Sequence, residues 1–319
     1  MKAAFGIALL IASPLSGLAA PAPQKQVDDS APCLIADVSR SGLQSGTSGS
    51  KQREAEVRFV DGYSENKHGI AAMIGSRGDL ITAYRWFEKA ARRGYAPAEV
   101  NLAMMYLQGW GVARNDGAAL NWLTLAAQQG QPVGLFDLGQ LYFKGCGVRQ
   151  DYLEALRLFQ EAARKGNAAA EVNIGYMYDE GVGVPRDRAT AIEWYRKAAQ
   201  AGEPAGEFNL GDLYRQGEGV AQNDSSAFGW FQKAAVQGHS RAQAMMGFMY
   251  AAGRGTPKDL EAAYAWIAAA HSEGVVLQDS PSLAEIEHQL PPDAIQRAKA
   301  RARALAQPSR QPTTFALLY

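Results

Sequence analysis

The chain has 319 residues, of which 47% are hydrophobic and 20% are charged. This balance is that of an ordinary folded protein and excludes both wholesale disorder and a polytopic membrane protein. Lys and Arg together number 32, as do Asp and Glu, so the chain lacks the basic excess that binding to a phosphate backbone requires, and we expect no nucleic-acid partner.

Residues 1–19 have the organisation of a secretory signal peptide. Lys2 supplies a positive charge, residues 3–12 form an apolar run too short to span a bilayer, and Gly17-Leu18-Ala19 fits a cleavage site with small residues. Cleavage after Ala19 would release a mature chain without a transmembrane segment. The predicted localisation is therefore the bacterial periplasm or the outside of the cell.

Residues 20–53 are predicted to form a flexible tether, because Pro, Ser, Gly and Gln dominate the segment and residues 41–50 approach low complexity. The tether contains Cys33, and the second cysteine of the chain is Cys146. An oxidising compartment permits the two to pair. Permission alone does not establish a bond, so we favour free thiols or crosslinking to another chain over an internal disulfide.

A pattern that returns every 36 residues occupies the middle of the chain. The motif Ala-Ala-x-x-Gly ends at five positions in constant register, and a tyrosine and a Gly-x-Gly pair recur in the same phase. The five positions are Gly94, Gly130, Gly166, Gly202 and Gly238. Self-similarity at a fixed period of this length is the signature of a repeat protein, in which each unit is one supersecondary structure.

Each unit is predicted to contain two helices. In helix A, Ala98, Leu102 and Met105 recur at the spacing of one helical stripe, and Gly109 follows where a left-handed residue would end the helix. Helix B begins at a row of residues that cap helix N-termini: Asp79, Asn115, Asp151, Asp187, Asn223 and Asp259. An alanine row from Ala83 and a tryptophan row from Trp86 are predicted to interdigitate in the core.

An isolated pair of helices leaves an apolar face exposed, so the units must stack. We predict an all-α protein, an α/α superhelical solenoid of about six 36-residue helix-turn-helix repeats over residues 54–275. Residues 276–307 are predicted to form a C-terminal helical cap, and residues 308–319 a disordered tail. The last capping helix is basic, which suits either a solvated outer face or a surface for an anionic partner or membrane.

The repeat motif resembles that of a known family. The pattern Asn-Leu-Gly-x-x-Tyr-x-x-Gly-x-Gly-Val is complete in residues 209–220 and nearly complete in residues 173–184. These residues resemble the Sel-1-like repeats, relatives of the tetratricopeptide repeats, over about 96–275 and, in a degenerate unit, over 59–95. The resemblance implies a protein-protein scaffold or adaptor. Activity toward β-lactams has been attributed to a cysteine-rich exported branch with a disulfide pair in every repeat, a feature that this chain lacks.

Signals of catalysis are few. Residues 64–67 and 48–51 match Ser-x-x-Lys, but the Ser-Asp-Asn and Lys-Thr-Gly motifs that accompany it in hydrolases are absent, so we interpret both as chance matches. The four histidines lack metal-ligand spacing, and the Gly-x-Gly pairs follow helices rather than strands. We predict no catalytic residue, no metal site and no cofactor; the alternative function is a β-lactamase-like or other envelope hydrolase.

A binding surface is predicted on the concave side of the solenoid. By analogy with tetratricopeptide arrays, helix A lines this side, and the rows equivalent to positions 100, 104 and 107 face it. The first row is uniformly apolar, and packing between A helices explains it at least as well as binding. The other two rows change chemistry between repeats, as either partner recognition or drift would make them. They contain the candidate partner-binding residues Met104, Leu107, Gln140, Phe143, Tyr176, Asp179, Asp212, Arg215 and Phe248.

The function that these features predict is an exported scaffold or regulator. Its expected partner is a protein or peptide of the cell envelope, bound in the concave groove, and its expected oligomeric state is a monomer.

Overall fold

The computed structural model describes residues 52–74, 78–278 and 280–306. Within this part of the chain all regular structure is helical. The helices are α1 Gln52–Ile74, α2 Leu80–Ala91, α3 Ala96–Gln108, α4 Asp116–Gln128, α5 Pro132–Lys144, α6 Tyr152–Arg164, α7 Ala168–Glu180, α8 Arg188–Gln200, α9 Pro204–Gln216, α10 Asp224–Val236, α11 Ser240–Ala252, α12 Leu260–Ser272, α13 Leu283–Glu287 and α14 Pro292–Ala306. The predicted signal peptide, most of the predicted tether and the predicted tail lie outside the described residues.

Consecutive helices pack in pairs, and the pairs stack in line. The pairs are α1/α2, α3/α4, α5/α6, α7/α8, α9/α10 and α11/α12, and the second helix of each pair also contacts the first helix of the next. Helix α14 packs on α12 and closes the array. The predicted all-α solenoid with a C-terminal capping helix is confirmed.

Polar caps and glycines set the ends of the helices as the repeat pattern predicts. The side chain of Asp151 accepts hydrogen bonds from the backbone N–H groups of Leu153 and Glu154, each at 3.0 Å, and the other members of the Asp and Asn row cap their helices in the same way. Helix α5 ends at Gly145, whose φ of 75° is left-handed and therefore costs glycine little. From α3 to α12, each unit thus repeats the same helix boundaries.

The core of each helix pair is a large side chain of helix B against a small residue of helix A. Phe159 is fully buried, and a Cβ atom on Gly139 would lie 2.7 Å from its ring. The equivalent helix B residues are all buried: Phe87, Leu123, Tyr195, Phe231 and Ile267. The alanine row from Ala83 is buried as predicted.

The tryptophan row lies at the edge of this core. Trp266 is buried, whereas Trp86, Trp122, Trp194 and Trp230 remain partly exposed. The ammonium of Lys197 lies 4.0 Å from the centre of the Trp194 ring, and Lys233 covers Trp230 at 3.9 Å. The prediction that tryptophans fill the core is therefore wrong for four of five units. The residue one position later fills it, because one residue turns a helix by about 100°.

The A helices lie on the inner side of the array. A helices of neighbouring repeats contact one another in the pairs α1/α3, α3/α5 and α7/α9. Within the described residues, B helices of neighbouring repeats make no comparable contacts. The array therefore curves toward its A helices, as the analogy with tetratricopeptide arrays predicts. No helix in the described ranges is both long and apolar enough to cross a membrane.

Candidate protein-interaction surface

The inner surface is formed by one stripe along each A helix. On α7 this stripe consists of Ala169, Asn173, Tyr176 and Glu180, which are all at least partly exposed while Ile174, Gly175 and Met177 are buried. The spacing of four, three and four residues is that of one helical face. We define the inner surface as these positions and their equivalents at intervals of 36 residues on α3, α5, α9 and α11.

The predicted partner-binding residues divide into accessible and buried groups. Met104, Tyr176, Asp212 and Phe248 are equivalent positions of the inner surface, and each is partly exposed. Phe143, Asp179 and Arg215, from the row of Leu107, are also partly exposed. Leu107 and Gln140, in contrast, are buried, so the expectation that they present their side chains to a partner is wrong in this structure.

Packing accounts for the burial of Leu107 and for the row of Val100. Val100, Phe136 and Leu107 belong to one hydrophobic cluster that continues through α5, α6 and α7. Phe136 packs against Phe159 with ring centres 5.6 Å apart. Of the two explanations that the sequence leaves open for this row, the structure favours packing between helices.

Two of the candidates form an aromatic contact between repeats. The ring centres of Phe143 on α5 and Tyr176 on α7 lie 6.3 Å apart in an edge-to-face arrangement. Phe143 also contacts Tyr152, at 5.2 Å, and Phe159, at 6.4 Å. Tyr176 is thus held by packing on one side while it remains partly exposed on the other.

The charged candidates have different internal partners. Asp212 on α9 forms an ion pair with Arg215, one turn later, at 2.7 Å and accepts a hydrogen bond from Gln216. Asp179 instead pairs with Arg188 at 3.1 Å, and Arg188 also pairs with Glu218 at 2.7 Å. Arg188 therefore connects neighbouring repeats through Glu218, whereas the Asp212–Arg215 pair lies within one helix.

The inner surface contains a polar row that sequence reasoning did not select. It consists of Asn101, Asp137, Asn173 and Asn209, and Met245 replaces it on α11. Asn101 is buried and donates a hydrogen bond to Asn66 at 2.9 Å, while Asn173 and Asn209 are partly exposed. The signal was present in the sequence as a polar residue three positions before each member of the row of Met104.

Asp137 is the one acidic member of this row, and only 3% of its surface is exposed. Its burial raises the pKa of the carboxyl to about 8, and the positive charge of Lys144 opposes the shift. Burial is unfavourable for the charged carboxylate, so it favours the neutral form of Asp137.

The histidine and serine residues considered for catalysis have structural surroundings. His239 stacks on Phe208 at 4.8 Å, and its Nδ1 accepts a hydrogen bond from the backbone N–H of Ala242 at 3.1 Å, so it caps α11. Burial lowers the pKa of His239 to about 4. Ser64 and Lys67 lie exposed on α1, and Ser48 and Lys51 lie outside the described residues. No group of three metal-binding side chains occurs in the ranges that the structure covers.

Cys146 follows α5 in the turn to α6. It is buried and disulfide-bonded. The expectation of a free thiol is therefore wrong for Cys146. Cys33 lies outside the described residues.

Comparison with known proteins identifies the repeat. The Sel1 repeat model matches residues 66–95, 96–131, 132–167, 168–203, 204–239 and 240–274. The crystal structure of a Sel1 repeat protein from Oxalobacter formigenes superposes with a TM-score of 0.63 at 32% identity and covers 70% of this chain and 94% of that one. No curated protein matches the chain.

Two more distant structures share the fold. They are the immunity proteins Pa5087 and PA5088 from Pseudomonas aeruginosa, at 18% and 19% identity, each with a TM-score of 0.50 and coverage of 78% of this chain and 83% of the other. At these identities the likeness concerns the fold alone.

Proposed function

From the premise that this chain belongs to the Sel1 repeat family, we propose that it is an exported scaffold that binds a protein or peptide of the cell envelope on its inner surface. Sel1 repeat proteins are protein-interaction scaffolds. The proposal adds the surface, the compartment and the kind of partner.

One observation supports the choice of the inner surface above all others. The core rows keep the same chemistry in every unit, because each pair of helices must stack on the next in the same way. Met104, Tyr176, Asp212 and Phe248 occupy one equivalent position, are partly exposed, and differ in size and charge. Stacking of the repeats does not require this variety, so these positions are free to recognise a particular partner.

The chemistry of these side chains suggests how a partner would bind. Met104, Tyr176 and Phe248 offer apolar contact area, and aromatic anchors contribute much of the energy of protein interfaces. Asp212 and Arg215 lie between Tyr176 and Phe248 along the array and are already oriented by their ion pair. We expect a partner that presents apolar side chains on both sides of a polar or charged group.

Export is supported by two independent features. Residues 1–19 have the charge and apolar run of a signal peptide. Cys146 is disulfide-bonded, and structural disulfides persist mainly in oxidising compartments such as the periplasm.

Loss of partner capture by an inner-surface variant tests the proposal. Tyr176→Ala, Asp212→Ala and Arg215→Ala would be combined, and partners from periplasmic extract would be quantified by mass spectrometry after crosslinking and pull-down. We expect the amount of captured partner to fall about tenfold, which corresponds to the loss of about 1.4 kcal/mol of binding free energy.

A matched control on the B helices separates binding from stability. Glu193 and Arg196 on α8 form an ion pair one turn apart, like Asp212 and Arg215, and Leu153 on α6 is a large exposed apolar residue. The combination Leu153→Ala, Glu193→Ala and Arg196→Ala should keep partner capture and a similar melting temperature. Equal capture by both variants would place the binding surface elsewhere.

A further inference from the structure

The strongest feature that the proposed function leaves unexplained is the burial of polar residues on α5. Asp137 and Gln140 lie on the inner surface, yet 3% and 6% of their surfaces are exposed. Their equivalents on α7 and α9 are Asn173, Tyr176, Asn209 and Asp212, and all four are partly exposed. Each of α5, α7 and α9 lies between two other A helices, so their place in the array alone does not account for the difference.

The disulfide of Cys146 provides an independent observation at the same place. Cys146 lies two residues beyond the end of α5, and it is disulfide-bonded. The chain contains two cysteines, and the other is Cys33. Another segment of polypeptide must therefore reach the C-terminal end of α5, the helix that carries Asp137 and Gln140.

The chain before α1 is long enough to supply that segment. Residues 34–51 separate Cys33 from the start of α1 and reach about 60 Å when extended. Helix α1 is about 34 Å long, and α5 lies two inner helices away at about 10 Å each, so the path from Gln52 to Cys146 is about 40 Å. A direct path passes α3 and α5, which are the helices that carry Met104, Asp137 and Gln140.

The sequence around Cys33 suits this part of the inner surface. Asp28, Asp29 and Asp37 flank Cys33, and Lys144 is an exposed positive residue at the end of α5. Leu34 and Ile35 follow Cys33, and Met104 and Phe143 are partly exposed apolar residues on α3 and α5. The segment and this part of the inner surface thus carry opposite charges, and both carry apolar side chains.

We propose that residues 28–37 dock on the inner surface over α5, fastened by a disulfide between Cys33 and Cys146, and so occupy part of the surface that the proposed function assigns to a partner. The segment then covers Asp137 and Gln140 and leaves the surface of α9 and α11 open. A partner would bind beside this segment or displace it. The inference uses the same surface as the proposed function, but its test requires no partner, so the two can fail separately.

The first experiment determines the connectivity of the disulfide. Unlabelled and nitrogen-15-labelled copies of the full chain would be reduced, mixed, re-oxidised together, alkylated and digested. We expect a peptide that joins Cys33 to Cys146 with both halves carrying the same isotope. Two alkylated cysteines, or a linked peptide with mixed isotopes, would overturn the proposal in favour of free thiols or a second copy.

The second experiment measures the cover on α5. Carboxyl groups would be labelled with a carbodiimide and an amine, and the rates at Asp137 and Asp212 compared by mass spectrometry. With 3% of Asp137 and 31% of the Asp212 side chain exposed, Asp137 should react about tenfold more slowly in the full chain. Deletion of residues 21–50 should raise the rate at Asp137 severalfold and leave Asp212 unchanged.

Cys33→Ser serves as the matched control, because it removes the disulfide and keeps the segment. Circular dichroism would verify that both variants remain folded. Slow labelling of Asp137 in the folded deletion variant would show that the helices alone bury this residue, and the docking proposal would then be wrong.

Discussion

Two leucines of α6 allow a sharp test of the assignment of core and surface. Leu158 stands in the tryptophan row of the third repeat and is 1% exposed, whereas Leu153, five residues earlier on the same helix, is 67% exposed. Both would be replaced by Ala, so the chemical change and the helix propensity are the same in the two variants.

The expected magnitudes follow from burial. Leu158→Ala removes three buried carbon atoms at about 0.8 kcal/mol each and leaves a cavity, so the free energy of unfolding should fall by about 3 to 4 kcal/mol. Leu153→Ala removes atoms that are mostly in contact with water in the folded state as well, and its effect should stay within about 0.5 kcal/mol.

Urea unfolding of the purified full chain would be followed by circular dichroism and by tryptophan fluorescence. Agreement of the two signals would establish that one transition is measured. In thermal unfolding the Leu158 variant should melt about 10 °C below the parent protein. Similar losses in the two variants would refute the burial argument and the position of the core that is derived from it.

Three further predictions concern a helix cap, a partly buried histidine and export. Asp151→Ala should lower the free energy of unfolding by about 1 kcal/mol in urea titrations, because Leu153 and Glu154 lose the acceptor of their N–H groups, and Asp151→Asn should lose much less. Burial lowers the pKa of His239 from 6.5 to about 4, so the unfolded chain binds more protons and stability should fall as the pH decreases from about 6.5 to 4, by about 2 kcal/mol at pH 5. Asn is chosen for His239→Asn because Asn167 caps α7 at the equivalent position. This variant should weaken the pH dependence of stability, and an unchanged slope would contradict the assignment. For export, N-terminal sequencing of the protein from a periplasmic fraction should begin at Ala20; retention of Met1 in the cytoplasm would refute the proposed compartment.

The repeat period and the helix boundaries could be predicted from the sequence because both depend on interactions between residues close together in the chain. A side-chain oxygen of Asp151 caps the helix that begins at the next residue, and Gly145 ends α5 with a left-handed backbone. These interactions join residues a few positions apart, so the order of residues in the sequence is enough to predict them. Repetition in six units then separated the pattern from chance.

The precise face of each helix was less predictable. The sequence pattern predicted that Trp194 lies in the core and that Leu107 faces the concave side. In the structure Tyr195 fills the core and Leu107 is buried. Moving one residue along a helix rotates the side chain by about 100° around the helix axis. The side that a neighbouring helix covers depends on how the two helices pack, which the sequence of one helix does not determine.

The sequence by itself determined the class of fold, the number of units and the positions of their caps, since each of these follows from interactions within one repeat. Only the tertiary structure decided which residues face the inner surface, that Arg188 links Asp179 to Glu218 of the next repeat, and that Asp137 is buried while its equivalents are partly exposed. These properties arise where separate units meet, and the energy of burial depends on everything that surrounds a side chain.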